Sequence, residues 1–305
     1  MVATLQSAAP ARPGNLAREV WEATAGGAEI DVLVLLEAQA DISAAPALPG
    51  REERLRYVYD ALRTTALRSQ ANLRAELESD GVHHRSFYIV NMISLRVDRG
   101  LATRIAAHPG VDRIVANPRV RVTLPQPEYS MVRSQTAAGV EWNVEQINAD
   151  DVWELGYTGE GIVIAGQDTG YHWEHPALID KYRGYNGVTV THDYNWHDAI
   201  HRPGSDCGAD SRFPCDDNGH GTHTMGTMVG DDGAGNRIGV APGAQWIGCR
   251  NMDEGIGSPA TYAECFEFFL APYPIDGDPF TDGEPSLAPH VINNSWTCPP
   301  YEGCE

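Results

Sequence analysis

The sequence predicts an α/β protein in which a small α+β domain precedes a larger domain built on a parallel sheet. The chain has 305 residues, a length that suggests about two domains. After Gly139, apolar strand-like runs alternate with helical patterns, as expected when helices connect parallel strands. A polar stretch at 126–138, rich in proline, serine and threonine, separates the two blocks. It is predicted to be an exposed linker that proteases can cut.

The first block is predicted to fold over residues 31–125, after a disordered lead-in over 1–30. The lead-in is rich in alanine, glycine and proline and has no hydrophobic period. The predicted elements alternate between strand and helix, beginning with a strand, over residues 31–38, 51–78, 84–98, 99–110 and 111–125. In the long helix, apolar residues recur at helical spacing between charged ones. This order suits two helices on one face of a sheet, as in a ferredoxin-like domain.

The second block is predicted to cover residues 139–305 and to contain the parallel sheet. Its predicted helices are at 149–155, 222–230 and 258–271, and its predicted strands are at 161–167, 245–252 and 289–296. Ser258 is a good N-cap for the last of these helices, since Pro259 occupies the first helical position.

The acidic composition argues against some classes of partner. The chain has 22 basic and 42 acidic residues, so its formal charge is 22 − 42 = −20. Nucleic-acid binding needs clustered lysine and arginine, and an anionic membrane surface would also repel this chain. Neither partner is therefore expected. No apolar stretch approaches the roughly 20 residues that a membrane-spanning helix needs.

All six cysteines lie in the second block, between Cys207 and Cys304. There is no C-x-x-C sequence, so a zinc or redox motif is not indicated. An even number of cysteines in a loop-rich region favours disulfides and an oxidising compartment, although the pairing stays open. The expected location is therefore extracellular. The N-terminal residues show no apolar signal segment, so export would require a start further upstream or a non-classical route.

Three segments of the second block carry residues suited to acid–base chemistry. Asp168 directly follows an apolar strand, and His220 lies between glycines just before a helix. In parallel α/β sheets, functional residues collect at the carboxyl ends of strands. An imidazole can take and return a proton near neutral pH, and a carboxylate behind it fixes its tautomer. The third segment, 289–296, is a strand that ends in Asn294, Ser295 and Trp296.

Together these segments resemble the subtilisin-like serine peptidases, the subtilases of the peptidase S8 family. The sequences that carry the resemblance are GYTGEGIVIAGQDTG, NGHGTHTMGTMVG, GVAPGA and VINNSW. Their order, with the aspartate before the histidine, is also that of the family. The resemblance implies a three-layer fold with a parallel sheet over about 139–305 and peptide-bond hydrolysis as the activity. It also implies that the first block is an inhibitory propeptide.

The resemblance assigns roles to particular residues. Asp168 is the orienting carboxylate of a catalytic triad, and His220 is the general base and acid. His223 is structural. Asn294, Ser295 and Trp296 line the substrate-binding pocket, where the strand pairs with an extended polypeptide substrate.

One part of the family pattern is missing from the sequence. The family's nucleophile lies in a Gly-Thr-Ser segment well beyond the VINNSW strand, and no such segment occurs within residues 1–305. The expectation is a truncated chain that is inactive alone and needs a complementing C-terminal segment. Two alternatives stay open, namely a non-catalytic peptide-binding protein and one half of a split protease.

No cofactor is expected to be required, but a structural calcium ion is an option because hard cations prefer oxygen ligands. The acidic candidates are Asp206, Asp210, Asp216, Asp217, Asp231 and Asp232, with Asn236. His197 and His201 have the spacing of a metal pair, yet a solvated acidic loop explains them as well. No H-E-x-x-H sequence is present, so no metal-ligating residue is assigned.

Overall fold

The computed structural model describes residues 11–122, 139–202, 204 and 206–297. The chain divides into two units, one of Met1–Ser43 with Asp60–Pro118 and one of Ala44–Tyr59 with Arg119–Glu305. The predicted linker at 126–138 lies outside the described residues. No helix in the described part of the chain is both long and apolar enough to cross a membrane.

The first unit is built on a four-stranded antiparallel sheet in the order β2-β3-β1-β4. Up to residue 118, the elements in chain order are α1 (Arg18–Ala23), β1 (Ile30–Leu36), α2 (Arg51–Ser79), β2 (His84–Phe87), β3 (Met92–Val97), α3 (Arg99–Ala106) and β4 (Val111–Ala116). From β1 onward the connectivity is βαββαβ, the order expected for a ferredoxin-like arrangement.

Alternate side chains of β1 and β3 face the core of this unit, where they pack with α2 and α3. The core side chains of these four elements are Val32, Val34, Leu36, Leu73, Leu77, Ile93, Leu95, Val97, Ala102 and Ile105. Because successive strand residues point to opposite faces, this pattern places both helices on one face of the sheet. The start of α3 is capped by Asp98, whose side chain accepts a hydrogen bond from Leu101 N at 2.7 Å.

The predicted disordered lead-in is wrong for the part of it that the structure describes. Leu16 and Val20 are fully buried in the first unit's core, and α1 lies within this segment. The backbone pairs with β4, since Ala17 N donates to Ile114 O at 2.9 Å and Ile114 N donates to Asn15 O at 2.8 Å. Leu16 precedes α1 and forms a bridge with Ile114, whereas Val20 is on α1, so no single helix or strand period relates the two residues. Two apolar residues are too few to stand out among alanine, glycine and proline.

The second unit contains a parallel sheet in the order β12-β7-β10-β8. After residue 118 the elements in chain order are β5 (Val120–Arg121), β6 (Gly139–Val140), α4 (Trp142–Gln146), α5 (Ala149–Glu154), β7 (Val163–Asp168), β8 (Trp196–Asp198), α6 (His220–Val229), β9 (Asn236–Arg237), β10 (Gln245–Arg250), β11 (Ile256–Gly257), α7 (Pro259–Leu270) and β12 (Val291–Asn293). Ser258 caps α7 as predicted, with a capping box completed by Thr261.

Helices cover both faces of the parallel sheet. On one face, residues of β7 and β10 pack against Met225 and Val229 of α6. On the opposite face, the alternate residues of the same strands pack against Phe268 and Phe269 of α7. A disulfide between Cys249 and Cys265 joins β10 to α7. The predicted α/β class with a parallel sheet between helical layers is therefore confirmed.

Candidate active site

Asp168 is the last residue of β7, and its side chain is only 1% exposed. Its Oδ1 accepts a hydrogen bond from Thr169 N at 2.7 Å, and the Thr224 hydroxyl donates to its Oδ2 at 3.4 Å. A buried carboxylate needs such partners because burial removes its hydration. The carboxylate is thus fixed at the carboxyl edge of the sheet.

His220 is the first residue of α6 and lies directly against Asp168. Its ring nitrogen Nδ1 is 2.7 Å from Asp168 Oδ1. The two residues are 52 positions apart in the sequence, so the fold alone brings them together. With Nδ1 donating to the carboxylate, Nε2 of the neutral ring is left as the proton acceptor. This is the arrangement in which a carboxylate orients an imidazole base.

Asp216 holds the first turn of α6 next to Asp168, a role that the sequence did not reveal. Its Oδ2 accepts from the Thr222 backbone N–H at 2.9 Å and its Oδ1 from Gly219 N at 2.9 Å. On the other side, the hydroxyl of Thr169, the residue after Asp168, donates to Asp216 Oδ1 at 2.8 Å. One carboxylate therefore binds both the end of β7 and the start of α6.

Glycines allow the close approach of these two elements. A Cβ atom at Gly221 would lie 2.1 Å from the carbonyl oxygen of Gly170. A Cβ at Gly170, where φ is +110°, would lie 1.8 Å from the carbonyl oxygen of Cys215. Larger residues would push α6 away from β7, because backbone atoms cannot yield as a flexible side chain can.

The pH dependence of stability provides a test of the His220–Asp168 pair. The pKa of His220 is raised, first because its side chain hydrogen-bonds Asp168, while burial opposes the rise. Its folded-state pKa therefore exceeds the value of about 6.5 in the unfolded chain. The stabilisation is fully present below pH about 6.5 and is lost as the pH rises through the folded pKa.

We therefore expect the free energy of unfolding of the wild-type protein to exceed that of His220→Gln by the largest margin at low pH. The difference should shrink as the pH rises above about 6.5 and through the raised pKa of folded His220. Denaturant unfolding at several pH values measures it. A difference that does not change with pH would contradict the pairing.

Arg250 organises a second buried charge cluster at the same sheet edge. It ends β10 in register with Asp168 on β7, and its side chain is fully buried. The guanidinium lies 3.2 Å from Asp198, 2.7 Å from Asp217 and 2.6 Å from Asp253. Burial raises the pKa of Asp198, and the charge of Arg250 opposes that rise. The cluster joins the ends of β8 and β10 to the loop that precedes His220.

The three predicted substrate-binding residues follow β12, which is at one edge of the parallel sheet. Asn294 and Ser295 are exposed, and Trp296 is half-buried. Trp296 Nε1 donates to Gln167 O at 3.0 Å, and its ring stacks on Tyr262 at 4.2 Å between centroids. These contacts place Trp296 next to α7 and next to Gln167 of β7, the residue that precedes Asp168.

Comparison with known proteins agrees with this geometry. Residues 159–302 match the sequence model of the subtilase family, peptidase S8. Over 254 residues the chain is 38% identical to bacillopeptidase F of Bacillus subtilis (strain 168), an alignment that covers 78% of this chain. The chain belongs to the subtilase family. It is also 37% identical, over 115 residues, to the minor extracellular protease Vpr of the same strain, which covers 38% of this chain.

This subtilase chain spans only part of the length of these relatives. It covers 17% of bacillopeptidase F and 13% of Vpr. Among solved structures, a mutant of the epidermin leader peptide processing serine protease of Staphylococcus aureus aligns with a TM-score of 0.58 at 14% identity. That alignment covers 88% of this chain and 51% of the other. At this identity the likeness shows the fold.

The expectation of a solvated loop is wrong for His197, which is in β8, whereas His201 follows that strand and is exposed. His197 is half-buried, with its ring stacked on Phe268, and its Nε2 is 2.6 Å from Glu264 Oε1. His201 Nε2 lies 3.0 Å from the same carboxylate, which is only 2% exposed. The buried glutamate on α7 draws both rings to it, because an isolated buried carboxylate is costly. No local pattern in the sequence indicates this partner, because Glu264 is 67 positions from His197 and 63 from His201.

The acidic residues considered for calcium are largely occupied by hydrogen bonds within the protein. Asp216 and Asp217 bind α6 and Arg250. Asp231 accepts from Gly233 N, and Asp232 accepts from the backbone N–H groups of residues 234 and 236. Among the residues that the structure describes, no group of three or more histidine, cysteine, aspartate or glutamate side chains is arranged to hold a metal ion.

The structure forms two of the disulfides that the cysteine count favoured. They join Cys207 to Cys215 and Cys249 to Cys265. Cys298 and Cys304 lie outside the described residues.

Proposed function

We propose that this chain supplies the aspartate and the histidine of a serine endopeptidase. The observation that carries the proposal is the 2.7 Å contact between His220 Nδ1 and the buried carboxylate of Asp168 at the carboxyl edge of the parallel sheet. The nucleophilic serine would come from a segment other than residues 1–305. After His220 the sequence has serines only at 258, 286 and 295, and none is part of Gly-Thr-Ser.

In the proposed reaction, His220 first accepts a proton from the serine and then passes it to the leaving amine. Its Nε2 takes the proton of the serine hydroxyl as the oxygen attacks the peptide carbonyl carbon. The same nitrogen then gives this proton to the amine nitrogen as the C–N bond breaks. A water molecule then attacks the acyl group on the serine, and His220 again takes a proton and returns it. This second step releases the carboxylic acid and restores the serine hydroxyl. Asp168 keeps Nδ1 protonated and stabilises the imidazolium throughout.

The polypeptide substrate would bind as an added strand, and β11 supports this part of the proposal. Within the second unit, β5 pairs with β11 in antiparallel register, with Val120 opposite Gly257. Val122 N adds a hydrogen bond to Gly255 O at 2.9 Å. Strand addition of this kind gives affinity through main-chain hydrogen bonds. Asn294, Ser295 and Trp296 would form a wall of the primary pocket.

The position of β5 also supports a zymogen. Residues 31–125 would be a propeptide whose tail occupies the substrate-binding strand until the 126–138 linker is cut. The two disulfides support a secreted protein, because disulfides persist in oxidising compartments. The similarity to Vpr, which is named as an extracellular protease, supports the same location.

A second candidate is a non-catalytic peptide-binding protein. The pairing of β5 with β11 favours it, since that pairing needs no nucleophile. Such a protein would hold extended peptides on the same edge without cleaving them.

Complementation separates the two candidates. The chain is produced together with a segment that carries the Gly-Thr-Ser sequence of a related subtilase, and hydrolysis of unstructured peptides is measured. We expect hydrolysis that needs both chains. The matched control is His223→Gln, which changes the second histidine of the same helix and should leave most of the rate. If a folded complex binds peptides but its serine neither cleaves them nor reacts with a fluorophosphonate, the binding protein is favoured.

A further inference from the structure

A disulfide-closed loop precedes the catalytic histidine, and it spans Cys207–Asp217. We infer that this segment, the clamp loop, positions His220 against Asp168, with Asp216 as its positioning residue. The inference rests on the proposed function for its catalytic meaning. Its geometry concerns only residues that the structure describes.

Both ends of the clamp loop bind the buried charge cluster. Gly208 O accepts from Arg250 Nη1 at 2.9 Å, and Asp217 Oδ2 lies 2.7 Å from Nη2 of the same guanidinium. Asp217 Oδ1 also accepts from Glu254 N at 2.9 Å. Arg250 ends β10 in register with Asp168, so these bonds fix the loop relative to the sheet edge.

The end of the clamp loop that contains Cys215 and Asp216 also binds the site itself. The carbonyl oxygen of Cys215 lies against Gly170, where not even a methyl group would fit. The next residue, Asp216, bonds the hydroxyl of Thr169 and the first-turn amide of Thr222. The hydroxyl of Thr169 in turn accepts from Gly221 N at 3.0 Å. The neighbours of both Asp168 and His220 are therefore tied to one short segment.

The disulfide between Cys207 and Cys215 connects the two ends of this arrangement. Cys207 is adjacent to Gly208, which binds Arg250, and Cys215 is adjacent to Asp216, which binds α6. The crosslink closes a loop over a sequence separation of 8. It therefore adds a second link between the charge cluster and the first turn of α6, besides the direct link through the adjacent residues Asp216 and Asp217.

The titration of His220 tests this inference on the protein itself. Proton uptake is followed by NMR on histidine-labelled protein, and the His220 signal is assigned by its loss in His220→Gln. In the double variant Cys207→Ala/Cys215→Ala we expect the His220 midpoint to fall towards about 6.5, the value of a free histidine. The midpoint in Asp168→Asn marks complete loss of the pair.

The matched control is Cys249→Ala/Cys265→Ala, which removes the other described disulfide. That crosslink joins β10 to α7 and packs on the face of the sheet opposite to α6, so the His220 midpoint should stay at the wild-type value. A wild-type midpoint in the folded Cys207→Ala/Cys215→Ala variant would overturn the inference. So would equal falls in both double variants, since these would reflect general loosening.

A single substitution covers the case in which the double variant fails to fold. Asp216→Ala keeps every cysteine but removes the bonds to Thr169 and Thr222, together with a carboxylate whose charge itself raises the pKa of His220. The His220 midpoint should therefore again fall. An unchanged midpoint in this variant would also overturn the inference. Because this readout needs no serine, absence of peptide hydrolysis in the complementation experiment would count against the proposed function alone.

Discussion

Asp168→Asn is expected to reduce kcat for peptide hydrolysis by about 10⁴-fold in the complemented enzyme, the size of the effect in other serine peptidases. The asparagine is nearly isosteric with aspartate, so it keeps the packing at the end of β7. Its amide group favours the wrong tautomer of His220 and gives no charge to stabilise the imidazolium. Steady-state kinetics on a peptide substrate should show the loss in kcat, with KM changed far less.

The control for this variant is Asp193→Asn, an acidic residue that accepts a hydrogen bond from Ile275 N away from His220. It removes the same charge from the same unit, so it should leave kcat within about twofold, because surface charges at this range are screened. If Asp168→Asn retained the wild-type kcat in a complex that cleaves peptides, Asp168 would not be the triad carboxylate.

Arg250→Leu is expected to lower the free energy of unfolding by about 3–5 kcal/mol. The leucine fills part of the space, but it leaves the carboxylates of Asp198, Asp217 and Asp253 buried without their common cation. Removing one partner of a buried ion pair costs far more than the pair contributes relative to apolar residues. Urea or guanidinium unfolding, followed by circular dichroism, measures the change.

Arg212→Leu provides the matched control, since it removes the same cation from an exposed pair. Arg212 and Asp276 are 62% and 75% exposed. Solvent screens such an exposed pair, so its loss should change the free energy of unfolding far less. Equal losses in the two variants would show that burial does not determine the strength of the Arg250 cluster.

The sequence was sufficient to predict the sheet edge where the site lies. Asp168 ends an apolar strand and His220 begins a glycine-rich helix, and both signals are local. The parallel order of the strands then dictated that their ends meet. The parallel α/β class followed from the same alternation of strands and helices, whereas the three-layer fold was expected from the resemblance to the subtilases. The short strand β8 was not predicted.

The supporting contacts could not be predicted, because they join residues that are distant in sequence. Asp216 and Arg250 looked like ordinary charged residues in the sequence, and Asp216 was considered for calcium. A usable signal for Asp216 existed, since an aspartate shortly before a helix start often binds the first-turn amides. No comparable signal identifies Arg250, whose partners come from three separate segments.

Helix α6 starts at His220, and this has an electrostatic consequence for the imidazole. The N–H groups in the first turn of a helix have no partner within the helix itself, so the helix dipole has its positive end there. That field disfavours the imidazolium, whereas the adjacent carboxylate favours it. Two opposed fields therefore act on one ring. Shortening or extending the helix at its start would alter the pKa of His220 even if Asp168 were not substituted.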